Sequence, residues 1–191
     1  LVAALVAAAA AAQDIESLAL DGQIAGDHLT LELRLAVKRL RAGEPLEVLD
    51  GQVAVLEVQL PPGVELVPEG SKLRLVYAGG FWQRETAGDV RIRFAPLQKT
   101  EGDKQSVGFA VPVVATRRLS VVCDRTGLEV ELPCARDVVR DRDANGADRV
   151  SGYLGFSPEV ALSWKTAVRK LESELIASCD ALTAVTVAPG T

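Results

Sequence analysis

The feature that most constrains the fold is an alternation of apolar and polar residues with a period of two. Between Leu29 and Val37 every second residue is apolar, and polar residues such as Thr30 and Glu32 lie between them. Successive side chains of a β-strand point to opposite faces, so this pattern predicts a strand with one buried face. The pattern recurs at Leu73 to Tyr77, Val90 to Phe94, Val107 to Val113, Leu128 to Leu132 and Val160 to Trp164.

Turn residues separate these segments, and Asp21-Gly22 and Asp50-Gly51 are predicted to form tight hairpin turns. No helical segment before residue 157 is long enough to connect parallel strands. The chain is therefore predicted to be mainly β: an antiparallel β-sandwich of about nine or ten strands, immunoglobulin-like in architecture. The apolar faces predict one core that contains Leu31, Leu33, Val90, Ile92, Phe94, Phe109, Val130, Leu132 and Trp164.

One strand changes its parity in the middle. Val53 and Val55 are in phase with each other, whereas Val58 and Leu60 follow the opposite phase. One extra residue in a strand has this effect, so we predict a β-bulge near Leu56 and Glu57.

The composition is that of an ordinary globular chain. The 191 residues suffice for one well-cored domain of roughly 150 residues, and 48% are hydrophobic and 25% charged. The net charge is −5. Nucleic-acid binding, which needs a basic face, is not expected.

The first twelve residues form an apolar, alanine-rich run. The run is too short to span a bilayer, which takes about 20 residues. It is typical of the apolar part of a signal peptide, with small residues at Ala10 to Ala12 and Gln13 as the mature start. The alternative is an alanine-rich helix packed on the domain. We expect residues 1–12 to be a signal-peptide remnant and the protein to be extracytoplasmic (periplasmic, secreted or in the cell envelope), with no transmembrane span.

The C-terminal stretch has two interpretations. Ser157 and Pro158 could open a helix, whereas the alternation from Val160 to Trp164 indicates a strand. A second strand-like segment, Ala184 to Val187, precedes Pro189. We predict a β-sandwich domain at residues 13–165, and a linker with the start of a further β-domain or a helix at residues 166–191.

A resemblance bears on this boundary. The succession of Gly127 to Leu132, Leu154-Gly155-Phe156 and Pro158 to Trp164 resembles uncharacterised families of large secreted or envelope bacterial proteins built of tandem β-domains. In those proteins a β-domain that ends in a tryptophan strand is followed by another β-domain. The resemblance implies no activity and assigns no functional residue.

The three cysteines are Cys123, Cys134 and Cys179. Cys123 and Cys134 flank a predicted hairpin around Thr126 and Gly127, where they would be offset along the ladder rather than opposite each other. Buried, unpaired thiols are therefore preferred over a disulfide.

Catalytic motifs are not evident. The one histidine, His28, lies beside Asp27 in a predicted turn, and no nucleophile motif accompanies it. Neither the spacing of zinc ligands nor a phosphate-binding loop occurs. We therefore do not expect an enzyme, and we expect no cofactor beyond a weakly bound calcium ion.

An aromatic loop is the first candidate binding site. Tyr77, Phe81 and Trp82 lie within six positions around Gly79-Gly80. Aromatic rings on a glycine-rich loop can stack on sugars or anchor a protein partner. The alternative is that Phe81 and Trp82 begin a strand and pack into the core.

An aspartate-rich loop is the second candidate. Asp141, Asp143 and Asn145 occupy alternate positions before Gly146, and Asp148 follows. Such a loop can bind calcium with an affinity of about 10⁻⁴–10⁻³ M, although Gly152 stands where an EF-hand needs a glutamate. The alternative is a solvated connector, since these residue types are common in turns.

Together these features predict a non-catalytic structural or interaction module of a secreted or envelope protein, with a protein or glycan partner. One alternative is a carbohydrate-binding module that uses the aromatic loop. Another is the accessory domain of a hydrolase whose catalytic part lies outside this chain.

Overall fold

The computed structural model of the chain describes residues 14–79 and 84–167. In these ranges the chain forms fourteen strands, which are β1 (Ile15–Ala25), β2 (His28–Arg41), β3 (Leu46–Asp50), β4 (Val53–Gln59), β5 (Val64–Glu69), β6 (Lys72–Tyr77), β7 (Glu85–Pro96), β8 (Lys99–Glu101), β9 (Lys104–Ala110), β10 (Thr116–Cys123), β11 (Leu128–Glu131), β12 (Ala135–Arg142), β13 (Asp148–Leu154) and β14 (Glu159–Thr166). The described residues contain no helix long and apolar enough to cross a bilayer.

The strands form two sheets that pack against each other. The first sheet has the order β12-β13-β10-β1-β2-β7-β4, and the second has the order β11-β14-β9-β3-β6-β5 with β8 paired to β9. Between the sheets, the rings of Phe94 in β7 and Phe109 in β9 meet edge to face at 5.5 Å. The predicted β-sandwich is confirmed, with more strands than expected. The observed order does not confirm an immunoglobulin-like architecture.

The core contains all nine residues that the alternation placed there. Leu33, Ile92 and Phe94 are fully buried, and the other six are at most 6% exposed. Apolar side chains of both sheets belong to this one cluster. Burial of one face of each sheet therefore determines which residues point inward and which remain on the outer faces.

The expectation of purely antiparallel pairing is wrong for one pair of strands. β1 and β10 run parallel, with Ser17 opposite Thr116 and Ile24 opposite Cys123. The chain reaches β10 from β9, which belongs to the second sheet, and it begins β10 at the same end of the first sheet as β1. Parallel strands are usually connected by a helix, and here the connection runs through the second sheet instead.

The predicted turn at Asp21-Gly22 is wrong, because these residues lie in the middle of β1. A Cβ atom on Gly22 would lie 2.9 Å from Cδ2 of Leu31 and 3.2 Å from Cγ2 of Val121. The glycine is therefore required by close packing with the neighbouring strands. The hairpin between β1 and β2 turns instead at Gly26-Asp27, where Gly26 has a φ of 62°.

Two further predicted hairpins are connections between the sheets. Asp50-Gly51 joins β3 in the second sheet to β4 in the first, and residues 124–127 join β10 in the first sheet to β11 in the second. Turn residues indicate where a chain reverses, but they do not indicate which sheet it enters next. Within the described residues Cys123 and Cys134 form no disulfide, as preferred, and Cys123 is buried whereas Cys134 is half-buried. Cys179 lies outside the described residues.

Two local predictions are confirmed. The register of β4 against β7 shifts between Val55 and Glu57, which is the predicted bulge. The segment after Pro158 is the strand β14 and not a helix, and the Ser157 hydroxyl accepts a hydrogen bond from the backbone N–H of Glu159 at 3.2 Å. The signal-peptide prediction for residues 1–12 and the further element after residue 167 lie outside the described residues.

Candidate functional site

One row of long side chains crosses the outer face of the first sheet. The ladders place Arg91 opposite Arg34, and Ala19 opposite both Arg34 and Arg118. Tyr153 of β13 lies opposite Arg118 on one side and opposite Arg136 of β12 on the other. We call this set the arginine row; from β7 to β12 it comprises Arg91, Arg34, Ala19, Arg118, Tyr153 and Arg136.

The row is exposed because it alternates with the core. Residues next to it in sequence, such as Ile92, Leu33 and Leu119, are fully buried between the sheets. All four arginines are exposed, and Tyr153 is 57% exposed. Neighbouring strands lie about 4.8 Å apart, so Arg118 and Arg136, one strand to either side of Tyr153, are separated by about 10 Å at the backbone.

The two halves of the row differ in charge. In the half near β2, Nε of Arg34 donates to Oε1 of Glu32 at 2.5 Å, and Nη2 lies 3.4 Å from Oδ2 of Asp21. The hydrogen bond to Glu32 raises the pKa of Arg34. Among the described residues, no carboxylate oxygen lies within 4.0 Å of a guanidinium nitrogen of Arg118 or Arg136.

The neighbouring row of the same face explains this difference. Beside Arg34 it contains the paired Glu32 and Asp21, whereas beside Arg118 and Tyr153 it contains the paired Ser120 and Ser151. Arg34 is therefore ion-paired, whereas Arg118 and Arg136 form no ion pair among the described residues, although the charge of Arg118 acts on Asp141 at longer range. We call the end made of Arg118, Tyr153 and Arg136 the Tyr153 site.

The Tyr153 site stands on a rigid base. Strand β13 pairs with β10 on one side and with β12 on the other. On the outer face, Arg149 of β13 binds Asp141 of β12 through two hydrogen bonds, from Nε to Oδ1 at 2.8 Å and from Nη2 to Oδ2 at 2.5 Å. The hydrogen bond from Arg149 holds the pKa of Asp141 below its ordinary value. This ion pair adds to the backbone ladder that joins the two strands carrying Tyr153 and Arg136.

Other exposed groups extend the surface at both ends. Phe156, which is 84% exposed, follows Tyr153 by three residues, and Nε of Arg136 would lie 3.9 Å from a Cβ atom on Gly155. At the opposite end, Arg91 and Gln59 border an open depression of about 450 Å³. The outer face thus offers a largely polar exposed surface from β4 to β12, with apolar Phe156 near its β13 end.

The aspartate-rich loop is the turn of the hairpin between β12 and β13. Asp143 Oδ1 accepts hydrogen bonds from the N–H groups of Asn145 and Ala147, at 2.9 and 2.8 Å. Asp141 is bound to Arg149, and Asp148 Oδ1 lies 3.7 Å from Nε of Arg142. In the described part of the chain, no three acidic, histidine or cysteine side chains form a group that could hold a metal. These contacts favour the connector interpretation of Asp141, Asp143, Asn145 and Asp148.

The aromatic loop is described only in part. Tyr77 is 5% exposed at the end of β6, and a Cβ atom on Gly63 would lie 3.1 Å from its ring. Its ring is thus packed inside the domain rather than presented to a ligand. Phe81 and Trp82 lie outside the described residues, so their predicted role in ligand binding stays a prediction.

His28 has the surroundings of a turn residue. It is exposed at the first position of β2, opposite Ala25. The neighbouring Asp27 forms an ion pair with Arg125, with Oδ1 and Nη2 separated by 2.9 Å. This aspartate is therefore engaged by an arginine, as expected for a solvated turn.

Sequence analysis did not find the Tyr153 site. The outward position of Arg118 and Arg136 follows from alternation, but their adjacency to Tyr153 requires knowledge that β10, β13 and β12 are neighbours. The one available signal was the short hairpin from Ala135 to Leu154, which would have brought Arg136 and Tyr153 together.

No family model matches the chain, and no match was found among curated proteins. Among solved structures the fold is similar to the native leukotriene A4 hydrolase of Saccharomyces cerevisiae, with 12% sequence identity and a TM-score of 0.44. The similarity covers 78% of this chain and 28% of the hydrolase. The chain therefore spans less than a third of that protein.

Proposed function

We propose that this chain is a non-catalytic interaction module of a secreted or cell-envelope protein, and that it binds its partner on the outer face of the first sheet. The observation that carries the proposal is the Tyr153 site, where an exposed aromatic ring lies between two arginines without a carboxylate partner among the described residues. Exposed tyrosine and arginine are the side chains that most often dominate binding energy.

The edges of the first sheet support the choice of its face. Both edge strands contain a register shift, between Val55 and Glu57 in β4 and between Arg136 and Val139 in β12. Bulges in edge strands disfavour pairing with a strand of another protein. Binding by strand addition is therefore less favoured than binding on the outer face.

Unpaired arginines on an outer face favour a ligand with negative charge. Each guanidinium presents five N–H donors in a planar fork that fits a carboxylate, sulfate or phosphate. Tyr153 adds a flat ring that can stack on an apolar or sugar face. The extracytoplasmic location, which the apolar N-terminal run favours, would place such ligands within reach.

The test uses four immobilised probes: polygalacturonate, dextran, single-stranded DNA, and vesicles of phosphatidylglycerol. We expect the chain to bind at least one acidic probe, and Arg118→Gln to weaken that binding about tenfold, the worth of a charge-assisted hydrogen bond. The matched control is Lys99→Gln, which removes one charge from exposed β8 in the second sheet. Binding that is absent for all four probes, or equally affected by the two variants, would refute the proposal.

A further inference from the structure

We infer that the ligand of the outer face is an acidic polysaccharide, a chain of sugars in which some rings carry a carboxylate or sulfate. This inference rests on the proposed function and specifies the ligand class for the same site. It follows from four properties of the surface: the exposed ring of Tyr153, the spacing of the arginines, the mixed charge of the neighbouring row, and the net charge of the chain.

The ring of Tyr153 supplies the sugar-binding element. Tyr153 is 57% exposed, so more than half of the residue is accessible at the surface. The C–H groups on one side of a pyranose ring pack against an exposed aromatic ring, and the tyrosine hydroxyl can bind a sugar hydroxyl. Ser120 and Ser151 on the neighbouring row are covered by their neighbours, so Tyr153 is the accessible group at this position.

The arginines supply anion recognition at a regular spacing. Arg136 and Arg118 flank Tyr153, and Arg34 lies beyond Arg118 across Ala19. Consecutive arginines of this set are thus two strand spacings apart, about 10 Å. A polysaccharide that lies across the strands, with a charged group on every second ring, would present its carboxylates or sulfates at similar intervals.

The carboxylates beside the row distinguish a sugar chain from a nucleic acid. Glu57, Arg93, Glu32 and Asp21 form the row next to the arginines, so this stretch contains three carboxylates and one guanidinium, and Gln59 of β4 lies opposite Arg91 at the end of the arginine row. Sugar hydroxyls can donate hydrogen bonds to these oxygens, whereas a phosphate on every nucleotide would be repelled by them. The net charge of −5 opposes a densely charged polyanion in the same way.

The same surface is poorly suited to an anionic membrane. Proteins that lie on a bilayer insert a band of apolar side chains below a basic rim. The arginine row and its neighbouring row contain charged groups, serines and Ala19 over most of their length, and exposed Val139 is a single apolar side chain at the β12 end rather than a band. A phosphatidylglycerol surface is therefore the less favoured acidic partner, and it serves as a competing outcome in the test.

The test is isothermal titration calorimetry of the full chain with four probes. The probes are a hyaluronan hexasaccharide, which carries a carboxylate on every second ring, the neutral maltohexaose, a single-stranded oligothymidylate, and phosphatidylglycerol vesicles. We expect the hexasaccharide with carboxylates to bind and maltohexaose not to bind. The affinity should fall as salt is added, because the guanidinium groups are exposed and their charge is screened.

Variants assign the binding to the Tyr153 site. We expect Arg118→Gln, Arg136→Gln and Tyr153→Ser each to weaken hexasaccharide binding about tenfold. Lys99→Gln leaves the face intact, so its affinity should stay within about twofold. Tyr153→Phe keeps the ring and removes the hydroxyl, so it should weaken binding less than Tyr153→Ser does.

The outcomes separate the inference from the proposed function. The chain could instead bind oligothymidylate or vesicles preferentially, in a way that depends on Arg118. That result would overturn the polysaccharide inference, while the proposed function as an interaction module would stand. If no probe shows binding that depends on Arg118 and Tyr153, the polysaccharide inference and the proposed function are both overturned. Binding of the hexasaccharide that is equally strong in Tyr153→Ser would overturn the inference, because the ring would then have no part in recognition.

Discussion

Arg117 and Arg118 are consecutive residues of β10, yet one guanidinium is buried between the sheets and the other lies on the outer face. Arg117 is 2% exposed and donates from Nη2 to the carbonyl oxygen of Ser157 at 2.8 Å and from Nη1 to that of Pro112 at 3.3 Å. These carbonyls belong to the two connections that carry the chain between the sheets, from β9 to β10 and from β13 to β14. Arg117 therefore joins both crossings, whereas Arg118 is exposed on the outer face, where we propose that a ligand binds.

This contrast gives the first prediction. Arg117→Ala should lower the free energy of unfolding by about 2–3 kcal/mol, because buried hydrogen bonds from a charged group are lost and two carbonyls lose a donor. Arg118→Ala should change it by no more than about 0.5 kcal/mol, as expected for an exposed side chain. Urea denaturation measures both. Equal losses for the two variants would contradict the assignment of Arg117 to a structural role.

Gly22 provides a second matched pair. Gly22→Ala should cost about 1–3 kcal/mol, since the new methyl group would lie 2.9 Å from Leu31 Cδ2. Gly108→Ala in β9 meets no atom within 4 Å, so it should be neutral or stabilise the fold by about 0.4–1 kcal/mol. Thermal and urea unfolding of both variants test the packing of β1 against its neighbours. A neutral Gly22→Ala would mean that β1 is not packed as described.

Trp164 gives a third prediction. Its side chain is 2% exposed, and Nε1 has no hydrogen-bond partner among the described residues. Trp164→Ala should cost about 3–5 kcal/mol, because it leaves a cavity in the core. Trp164→Phe should cost much less, because it retains most of the ring and removes a buried donor without a partner. Urea denaturation checks this, and the unfolding midpoint of Trp164→Phe should be higher than that of Trp164→Ala. The reverse order would exclude Trp164 from the core.

The thiols give a fourth prediction. Burial raises the pKa of Cys123 and that of Cys134 above the usual thiol value. The reactive thiolate is therefore scarce at pH 8 in the native state, and both residues should resist iodoacetamide until the protein unfolds. Mass spectrometry of a Cys179→Ser variant, labelled with and without urea, isolates these two cysteines. Rapid native labelling of Cys123 would contradict its burial.

The sequence predicts the strands well, because burial of one face requires alternation in each strand separately. Phe94, Val130 and Trp164 are buried as expected for this reason. Asp21-Gly22 was misassigned because a glycine that is needed for packing has the same local signature as a glycine that is needed for a turn. Only the contact with Leu31, a residue of the next strand, distinguishes the two.

The candidate site could not be predicted in the same way. Arg34 and Arg118 are 84 positions apart in the sequence (118 − 34) and become members of one row because β1 lies between β2 and β10. That order depends on the parallel pairing of β1 with β10, which forms through a crossing in the second sheet. Local periodicity contains no information on which strands pair, so the residues that lie beside Tyr153 in space could not be predicted from the sequence.

The most direct test of the account is to map the binding surface by NMR. The chain is labelled with ¹⁵N and ¹³C and titrated with the hyaluronan hexasaccharide, while the Nε–H signals of the arginines and the ring signals of Tyr153 are followed. The account predicts that the largest shifts occur at Arg118, Arg136 and Tyr153, with smaller shifts toward Arg34. Shifts that concentrate on the second sheet, or no shifts at millimolar hexasaccharide, would contradict it.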